Sequence, residues 1–148
     1  MREREVTRVI AGRLHEEGVF NLQVRYGQER GPDIEAELPS SHRSLFIEVK
    51  GSSRNPEVDL GTALYQVLTR RDGRAVCGIT LSWAGRYETL VRRVLSGIQR
   101  LGLHVLLVRN RDVWRLSPGA RGFFPSKADS LTDALEGTHG RADQAAAY

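Results

Sequence analysis

The stretch PDIEAELPSSHRSLFIEVKG, residues 32–51, predicts two β-strands joined by a polar turn. Apolar and polar residues alternate in both halves, and such alternation is typical of a strand with one buried face. The PSSHR segment between the halves contains proline and serine, which favour a turn. The alternating apolar residues are Ile34, Ala36 and Leu38 in the first half and Leu45, Ile47 and Val49 in the second. We therefore predict an antiparallel hairpin.

The apolar residues of both strands must lie on the same face of the hairpin, and this restricts how the strands pair. Paired residue numbers must have an odd sum, because a one-residue slip would place leucines opposite carboxylates. Two registers satisfy the condition: one pairs Asp33 with Glu48, and the other pairs Asp33 with Lys50 and Glu35 with Glu48. Both place Asp33, Glu48 and Lys50 together at the open end of the hairpin. Opposite Cβ atoms lie about 4.5–5.5 Å apart, so two carboxylates there can share one hard cation.

Lys50 is unusual in this chain, because only it and Lys127 are lysines among 22 basic residues. Two crowded carboxylates repel each other unless a cation neutralises them. An ammonium is a compact charge that can be directed at a transition-state oxygen or an attacking water, whereas a guanidinium is planar, bulkier and always protonated. We therefore interpret the lysine at position 50 as a chemical requirement of the site.

Hydrophobic periodicity predicts the remaining elements. Helices are predicted at residues 2–17, 59–70 (with Asp59 as N-cap) and 87–101, and strands at residues 19–26, 74–83, 103–110 and 112–116. This order predicts an α/β protein in which helices sandwich a mixed β-sheet. We expect a domain at residues 1–117 and a C-terminal extension at 118–148. Within the extension, residues 130–137 favour one or two helical turns, and the rest resembles a disordered tail.

Composition limits the class of protein. A chain of 148 residues with 40% hydrophobic and 27% charged residues is typical of one globular domain. The net charge of +4 suggests an anionic partner such as nucleic acid, although arginine usage of this kind also follows from GC-rich coding. The single cysteine, Cys77, fits a reducing compartment, and the four histidines do not cluster with it at zinc-ligand spacing.

No apolar run approaches the ~18 residues of a membrane helix. The start MREREV is not a signal peptide, so we expect a cytoplasmic protein with no membrane association.

The motif formed by Pro32-Asp33, fourteen intervening residues and Glu48-Val49-Lys50 resembles that of the PD-(D/E)XK nuclease superfamily. The resemblance covers roughly the first 110 residues, because the order of predicted elements is also similar. It is similar in particular to Holliday-junction resolvases and Mrr-like restriction enzymes. It implies a restriction-endonuclease-like core, a mixed central sheet flanked by helices in the order αβββαβ. It also implies a metal-dependent DNA endonuclease that hydrolyses phosphodiester bonds and leaves 5′-phosphates.

The same resemblance assigns roles to individual residues. Asp33 and Glu48, together with the backbone carbonyl of Val49, would bind Mg²⁺, for which Mn²⁺ can substitute. Lys50 would orient or activate the attacking water and stabilise the transition state. The alternative is a surface Glu48–Lys50 pair on a solvated strand face.

Two further residues match positions that many members of the superfamily use. The first helix offers Glu5 as the better match to a glutamate ligand, with Glu3 as the alternative; acids at a helix start are also favoured by the helix dipole alone. Gln66 matches a glutamine on the helix after the lysine strand and would hold Lys50 or a phosphate, unless it is a plain surface residue. Glu35 shares a face with Asp33. It is either a second ligand or a solvated residue of the hairpin.

Polar and basic residues after the motif are candidates for contacts with the DNA backbone. They are Ser52, Ser53 and Arg54 in the following loop and Arg70 and Arg71 at the end of the predicted second helix. Cations at a helix C-terminus are also normal without any function. We expect a homodimer, because a duplex has two strands to cut, and structure-selective cleavage suits a domain without a separate recognition module.

Two other functions fit the same sequence. The chain would serve as a nuclease subunit of a larger phage, repair or restriction assembly, or as a non-catalytic DNA-binding or interaction module with a decayed site. The presence of all three motif residues argues against decay. DNA structure, sequence preference, the choice between DNA and RNA, and the choice between Glu5 and Glu3 stay open at this stage.

Overall fold

The computed structural model describes residues 1–27, 29–119 and 122–136. Within these residues the helices are α1 (Glu3–Glu16), α2 (Pro56–Thr69), α3 (Gly85–Arg100) and α4 (Leu131–Glu136). The strands are β1 (Phe20–Val24), β2 (Ile34–Glu37), β3 (Ser44–Lys50), β4 (Val76–Ser82), β5 (His104–Arg109), β6 (Asp112–Gly119) and β7 (Gly122–Lys127). Up to β6, helices and strands follow one another as the hydrophobic pattern predicts. No helix in this part of the chain is long and apolar enough to cross a membrane.

All seven strands form one mixed sheet in the spatial order β1-β2-β3-β4-β5-β6-β7. The central strands β3, β4 and β5 are parallel, and the outer pairs are antiparallel. The parallel pairs need crossover connections, which α2 and α3 provide. Every residue of β4 is buried, which explains its continuous apolar run. The predicted α/β class with a mixed sheet between helices is therefore confirmed.

Each face of the sheet carries its own apolar core. One cluster joins the sheet to α1 and α4 and includes Val6, Ile10, Leu14, Ile47, Val49, Leu131 and Leu135. The other joins the sheet to α2 and α3 and includes Leu60, Val67, Ile79, Leu81, Val91 and Leu107. Residues 45, 47 and 49 of β3 contribute to the first cluster, so residues 46, 48 and 50 point towards α2 and α3.

The β2–β3 hairpin adopts one of the two predicted registers. Ile34 lies opposite Ile47, and Glu35 lies opposite Phe46. Continuing this register by one residue places Asp33 opposite Glu48. Glu35 is therefore not paired with Glu48; its carboxylate instead forms an ion pair with Arg25 at 3.0 Å.

Helix α2 begins at Pro56 rather than at residue 59, the start that the sequence predicts. Proline is well suited to the first position of a helix, because its missing N–H would have no partner there and its φ is already helical. The N–H of Asp59 donates to the carbonyl of Asn55, which places Asp59 within the helix instead of at its cap. The carboxylate of Asp59 is thus available for tertiary contacts.

The chain after residue 117, predicted as a C-terminal extension, continues the same sheet and core. Strand β6 runs through to Gly119 and pairs with β7, and α4 packs beside α1. Glu17 binds the start of α4, accepting the N–H groups of Leu131 at 3.0 Å and Thr132 at 2.9 Å. Strand β7 was not predicted, because Pro125 interrupts its pattern; a proline is tolerated in an outer strand. Residues 137–148, predicted as the tail, lie outside the described residues.

Candidate functional site

Asp33 and Glu48 form a carboxyl pair at the open end of the hairpin. Glu48 is only 2% exposed, although it is a charged residue type. Burial and the adjacent Asp33 charge raise the pKa of Glu48 from 4.5 to about 8, and a hydrogen bond between the two carboxyl groups acts in the same direction. The nearby cations of Arg70 and Lys50 oppose this shift but do not outweigh it.

The backbone of β3 offers a further oxygen beside this pair. Hydrogen-bonded pairs recur at every second residue of an antiparallel ladder, and Leu38 N–H donates to the carbonyl of Arg43. Counting in steps of two from Leu38 and Arg43 places Pro32 opposite Val49 in a position of the hydrogen-bonded kind. Proline has no N–H, so it cannot donate to the Val49 carbonyl. The Val49 N–H instead donates to Asp33 Oδ2 at 2.7 Å, and the Val49 carbonyl oxygen is left for another partner.

Arg70 lies at this site, which sequence reasoning did not anticipate. Its guanidinium donates from Nη1 to Glu48 Oε1 and, at 3.3 Å, to the carbonyl of Gln66. The predicted contact of Arg70 with the DNA backbone stays a prediction; in the structure its cation faces a buried carboxylate. Arg71 points elsewhere: it is exposed and its guanidinium lies beside Gly102.

Lys50 ends β3 on the same face as Glu48. Its charge acts on Glu48 and on Glu3, which places the ammonium between these two acids electrostatically. Among the residues that the structure describes, its ammonium makes no hydrogen bond or ion pair. A half-buried cation without a fixed partner is free to engage a bound anion.

The start of α1 reaches the site because residue 51 is glycine. A Cβ placed on Gly51 would collide with the backbone nitrogen of Glu3, so only glycine permits this approach. Burial, Asp33 and Asp59 raise the pKa of Glu3, while Lys50 acts in the opposite direction. The structure therefore brings Glu3 towards the carboxyl pair.

Glu5, the preferred match from the sequence, is used differently. Its Oε2 accepts the N–H of Arg2 at 2.7 Å and caps the first turn of α1. Of the two glutamates, Glu3 is the one whose charge interacts with Asp33 and Lys50. Glu5 as a ligand, with Glu3 as the alternative, stays a prediction; in the structure the cap engages the Glu5 carboxylate.

Gln66 supplies an unpaired polar atom. It lies on α2 one turn before Arg70, and its Oε1 is buried without a hydrogen-bond partner among the described residues. A buried acceptor in this state costs stability until a donor arrives. The ammonium of Lys50 and a water molecule are donors of the required kind.

Asp59 and Tyr87 belong to the same surroundings, and sequence reasoning missed both. The Tyr87 hydroxyl, 1% exposed as a residue, donates to the Gly51 carbonyl at 2.9 Å and lies 3.4 Å from Asp59 Oδ2. Burial, then Asp59, raises the pKa of Tyr87 to about 12. Tyr87 therefore stays protonated and links α3 to the loop after β3. No local pattern marks either residue, since the contact spans three elements.

The loop after β3 uses its serines internally. The Ser52 N–H donates to the Met1 carbonyl at 2.8 Å, and its Oγ accepts from the Met1 nitrogen at 3.0 Å. Ser53 Oγ accepts the Asn55 N–H at 3.0 Å. Arg54 is exposed. The predicted phosphate contacts by Ser52, Ser53 and Arg54 stay predictions, with only Arg54 clearly directed to solvent.

The donor set suits a small, hard cation. Within the described ranges no group of three or more His, Cys, Asp or Glu side chains is arranged to bind a metal. Mg²⁺ does not need such a group, because it retains several waters and binds through one or two carboxylates. Asp33, Glu48 and the Val49 carbonyl are oxygen donors of that kind, so these residues fit Mg²⁺.

Comparison of the chain with protein-family profiles and with curated proteins finds no match. Within the described residues, the site combines the buried Glu48 with the half-buried Asp33, a backbone carbonyl without a strand donor, an ammonium without an ion pair, and a guanidinium that pairs with one carboxylate.

Proposed function

We propose that this protein is a Mg²⁺-dependent nuclease of the PD-(D/E)XK type, with the restriction-endonuclease-like arrangement of its core, and that it hydrolyses phosphodiester bonds in DNA. The observation that carries the proposal is the buried Glu48 beside Asp33, next to an ammonium that has no fixed partner. Burying Glu48 beside a half-buried carboxyl group and a half-buried lysine destabilises a fold unless the charges are compensated. A divalent cation and a phosphodiester would complement all three.

In this mechanism Asp33, Glu48 and the Val49 carbonyl would hold the metal, with Glu3 reaching it through a water. When bound, Mg²⁺ supplies Lewis-acid polarisation of the phosphate and a water of lowered pKa. Lys50 donates to a non-bridging phosphoryl oxygen, where negative charge increases in the transition state. Gln66 Oε1, which has no hydrogen-bond partner among the described residues, would accept from the ammonium and direct it towards the phosphate.

Cleavage assays test this proposal. The protein is incubated with branched, single-stranded and duplex DNA in Mg²⁺, in Mn²⁺ and in EDTA. We expect metal-dependent cleavage that Lys50→Ala reduces by about 100-fold or more, because one directed donor contributes roughly this much. Lys50→Arg should also lose activity, because the guanidinium is larger and planar.

The only other lysine supplies a matched control. Lys127 pairs with Asp112 at 3.2 Å on the outer strands, so Lys127→Ala should leave cleavage unchanged. Absence of metal-dependent cleavage on every substrate, or equal activity of Lys50→Ala and the wild type, would contradict the enzyme proposal. Measurement of the protein's molecular mass in solution, made alongside these assays, tests the proposed homodimer and the proposed subunit role.

A non-catalytic nucleic-acid-binding module is the second candidate. The ion pair between Arg70 and Glu48 favours it, because the guanidinium already neutralises one proposed ligand. Binding of DNA without cleavage in any metal would support the module over the enzyme.

A further inference from the structure

Three exposed arginines lie in a row along α1 and the turn next to it. Arg4 and Arg8 lie one helical turn apart on α1, and Arg111 lies in the turn between β5 and β6. We call these three residues the α1 basic track. Two clefts adjoin it along α1, and each contains part of the track.

The first cleft, of about 320 Å³, opens beside the candidate active site. Its lining includes Glu3, whose charge interacts with Lys50 and Asp33, together with Arg4, Arg25 and Tyr26. The Arg4 guanidinium lies over the Tyr26 ring, 4.9 Å from its centre. This cleft therefore combines a cation and an aromatic ring next to the proposed reaction centre.

The second cleft, of about 400 Å³, lies further along α1 and joins the helix to the β5–β6 turn. Arg8, Arg13 and Arg111 line it together with one acid, Glu16. Arg13 donates to the Ala128 carbonyl at 2.9 Å, so its role includes holding the chain before α4. Arg8 and Arg111 have no such function and are directed to solvent.

Local structure does not favour these charges. A cation in the first turn of a helix opposes the helix dipole, and like charges one turn apart repel each other. In the part of the chain that the structure describes, none of Arg4, Arg8 and Arg111 has an ion pair within 4.0 Å. A bound polyanion would offset these unfavourable terms.

We propose that the α1 basic track binds the phosphate backbone of a nucleic-acid strand and leads it into the Asp33–Glu48–Lys50 site. The role of that site rests on the proposed function, whereas binding along α1 does not require cleavage. Arg70 and Arg71 at the end of α2 were the predicted basic contacts, but Arg70 faces Glu48. The track supplies solvent-facing cations on α1, whose first residue, Glu3, adjoins the site.

Fluorescence anisotropy with labelled single-stranded and duplex oligonucleotides tests the track. Measurements in EDTA remove metal-dependent cleavage. We expect the double variant Arg4→Gln/Arg8→Gln to bind at least about 10-fold more weakly at low salt. The slope of log affinity against log salt concentration should fall by about 2, one for each lost phosphate contact.

A charge-matched control comes from the other side of the sheet. Arg93→Gln/Arg100→Gln removes the same charge from exposed positions of α3 and should leave binding within about 2-fold. Equal loss of oligonucleotide affinity in both double variants would overturn the proposal, because it would show that binding depends only on the net charge of the protein. Failure of the wild type to bind either oligonucleotide, or binding only to anionic lipid vesicles, would also overturn it.

The two proposals fail in different ways. Lys50→Ala should abolish cleavage and retain oligonucleotide binding in EDTA. If the wild type binds but never cleaves, the track stands and the nuclease proposal fails. If cleavage occurs and Arg4→Gln/Arg8→Gln binds as the wild type does, the nuclease proposal stands and the track fails.

Discussion

Glu48 combines three properties that rarely occur together in one carboxyl group. It is buried, its pKa is raised by burial and by the charge of Asp33, and its Oε1 accepts from the guanidinium of Arg70. Desolvation favours its neutral form, while the cation favours its charged form. Because the first effect is larger, the pKa of Glu48 rises to about 8.

Stability should therefore fall as pH rises when no divalent cation is present. The folded-state pKa of Glu48, about 8, exceeds the ordinary value of 4.5, so folding takes up a proton. The stability that this proton uptake contributes is fully present below pH 4.5 and is lost as pH rises through 8. One unit of pKa difference corresponds to about 1.4 kcal/mol. Urea unfolding in EDTA between pH 5 and 9 should show the decline in the wild type and a flatter profile in Glu48→Gln.

Glu57→Gln, at an exposed position of α2, is the control for that titration and should keep the wild-type profile. Identical profiles for the wild type and Glu48→Gln would show that Glu48 does not titrate in this range. Addition of Mg²⁺ at pH 8 should raise the stability of the wild type more than that of Glu48→Gln, because a bound cation favours a charged carboxylate, which glutamine lacks.

Removing Arg70 should destabilise the protein, because it leaves Glu48 without its counter-charge. We expect Arg70→Met to lower the free energy of unfolding by about 1–3 kcal/mol at pH 9, where Glu48 is charged, and by less than for a fully buried pair since Arg70 is partly exposed. Calorimetric or urea unfolding of the two single variants and of Glu48→Gln/Arg70→Met measures the coupling. The double variant should lose less than the sum of the single losses.

The exposed neighbour provides the comparison for Arg70. Arg71→Met should change stability by less than about 0.5 kcal/mol, because surface substitutions usually do. Additive losses in the double variant would mean that Arg70 and Glu48 do not interact in solution. Arg70→Met should also bind Mg²⁺ more tightly, because a competing cation has been removed.

At the scale of elements, the position of α1 depends on the glycine that ends β3. Gly51 lets the backbone of the first turn of α1 approach closely enough for Glu3 to reach the site. Gly51→Ala should lower the free energy of unfolding by about 2 kcal/mol or more, because the new methyl group collides with the backbone rather than with a flexible side chain. Thermal or urea unfolding measures the loss.

Gly61→Ala is the matched substitution for this test. Gly61 lies within α2, and a Cβ there meets nothing within 4 Å. Because alanine favours a helix over glycine, this variant should be more stable than the wild type by about 0.5–1 kcal/mol. A neutral Gly51→Ala would show that α1 does not pack on the end of β3.

At the scale of the whole molecule, the central strands are covered on both faces by helices and on both edges by other strands. Cys77 lies in β4, is 2% exposed, and has its pKa raised by burial. Its thiol should react with a disulfide reagent only when the sheet opens. We expect labelling in native conditions to be at least about 1,000-fold slower than in urea, in line with global protection of core strands. Labelling at the unfolded rate would show that β4 is accessible.

Much of the fold and part of the site follow from local patterns. Alternation with a period of two determines the hairpin and the faces of its strands, so it brings Asp33, Glu48 and Lys50 to one face before any tertiary contact is considered. Continuous apolar runs likewise identify β4 and β5 as buried central strands. The pattern does not predict strand β7, because Pro125 interrupts it. The pattern also predicts too late a start for α2, because Asp59 resembles an N-cap.

The sequence by itself determined which residues share a face, because side-chain direction depends only on position along a strand. The tertiary structure decided which register the hairpin adopts, that Glu3 and not Glu5 approaches the site, and that Arg70 turns inward to Glu48. It also brought Tyr87 to Gly51. These outcomes depend on how helices pack across a sheet, where residues far apart in the chain meet and where burial, rather than local propensity, sets the energy.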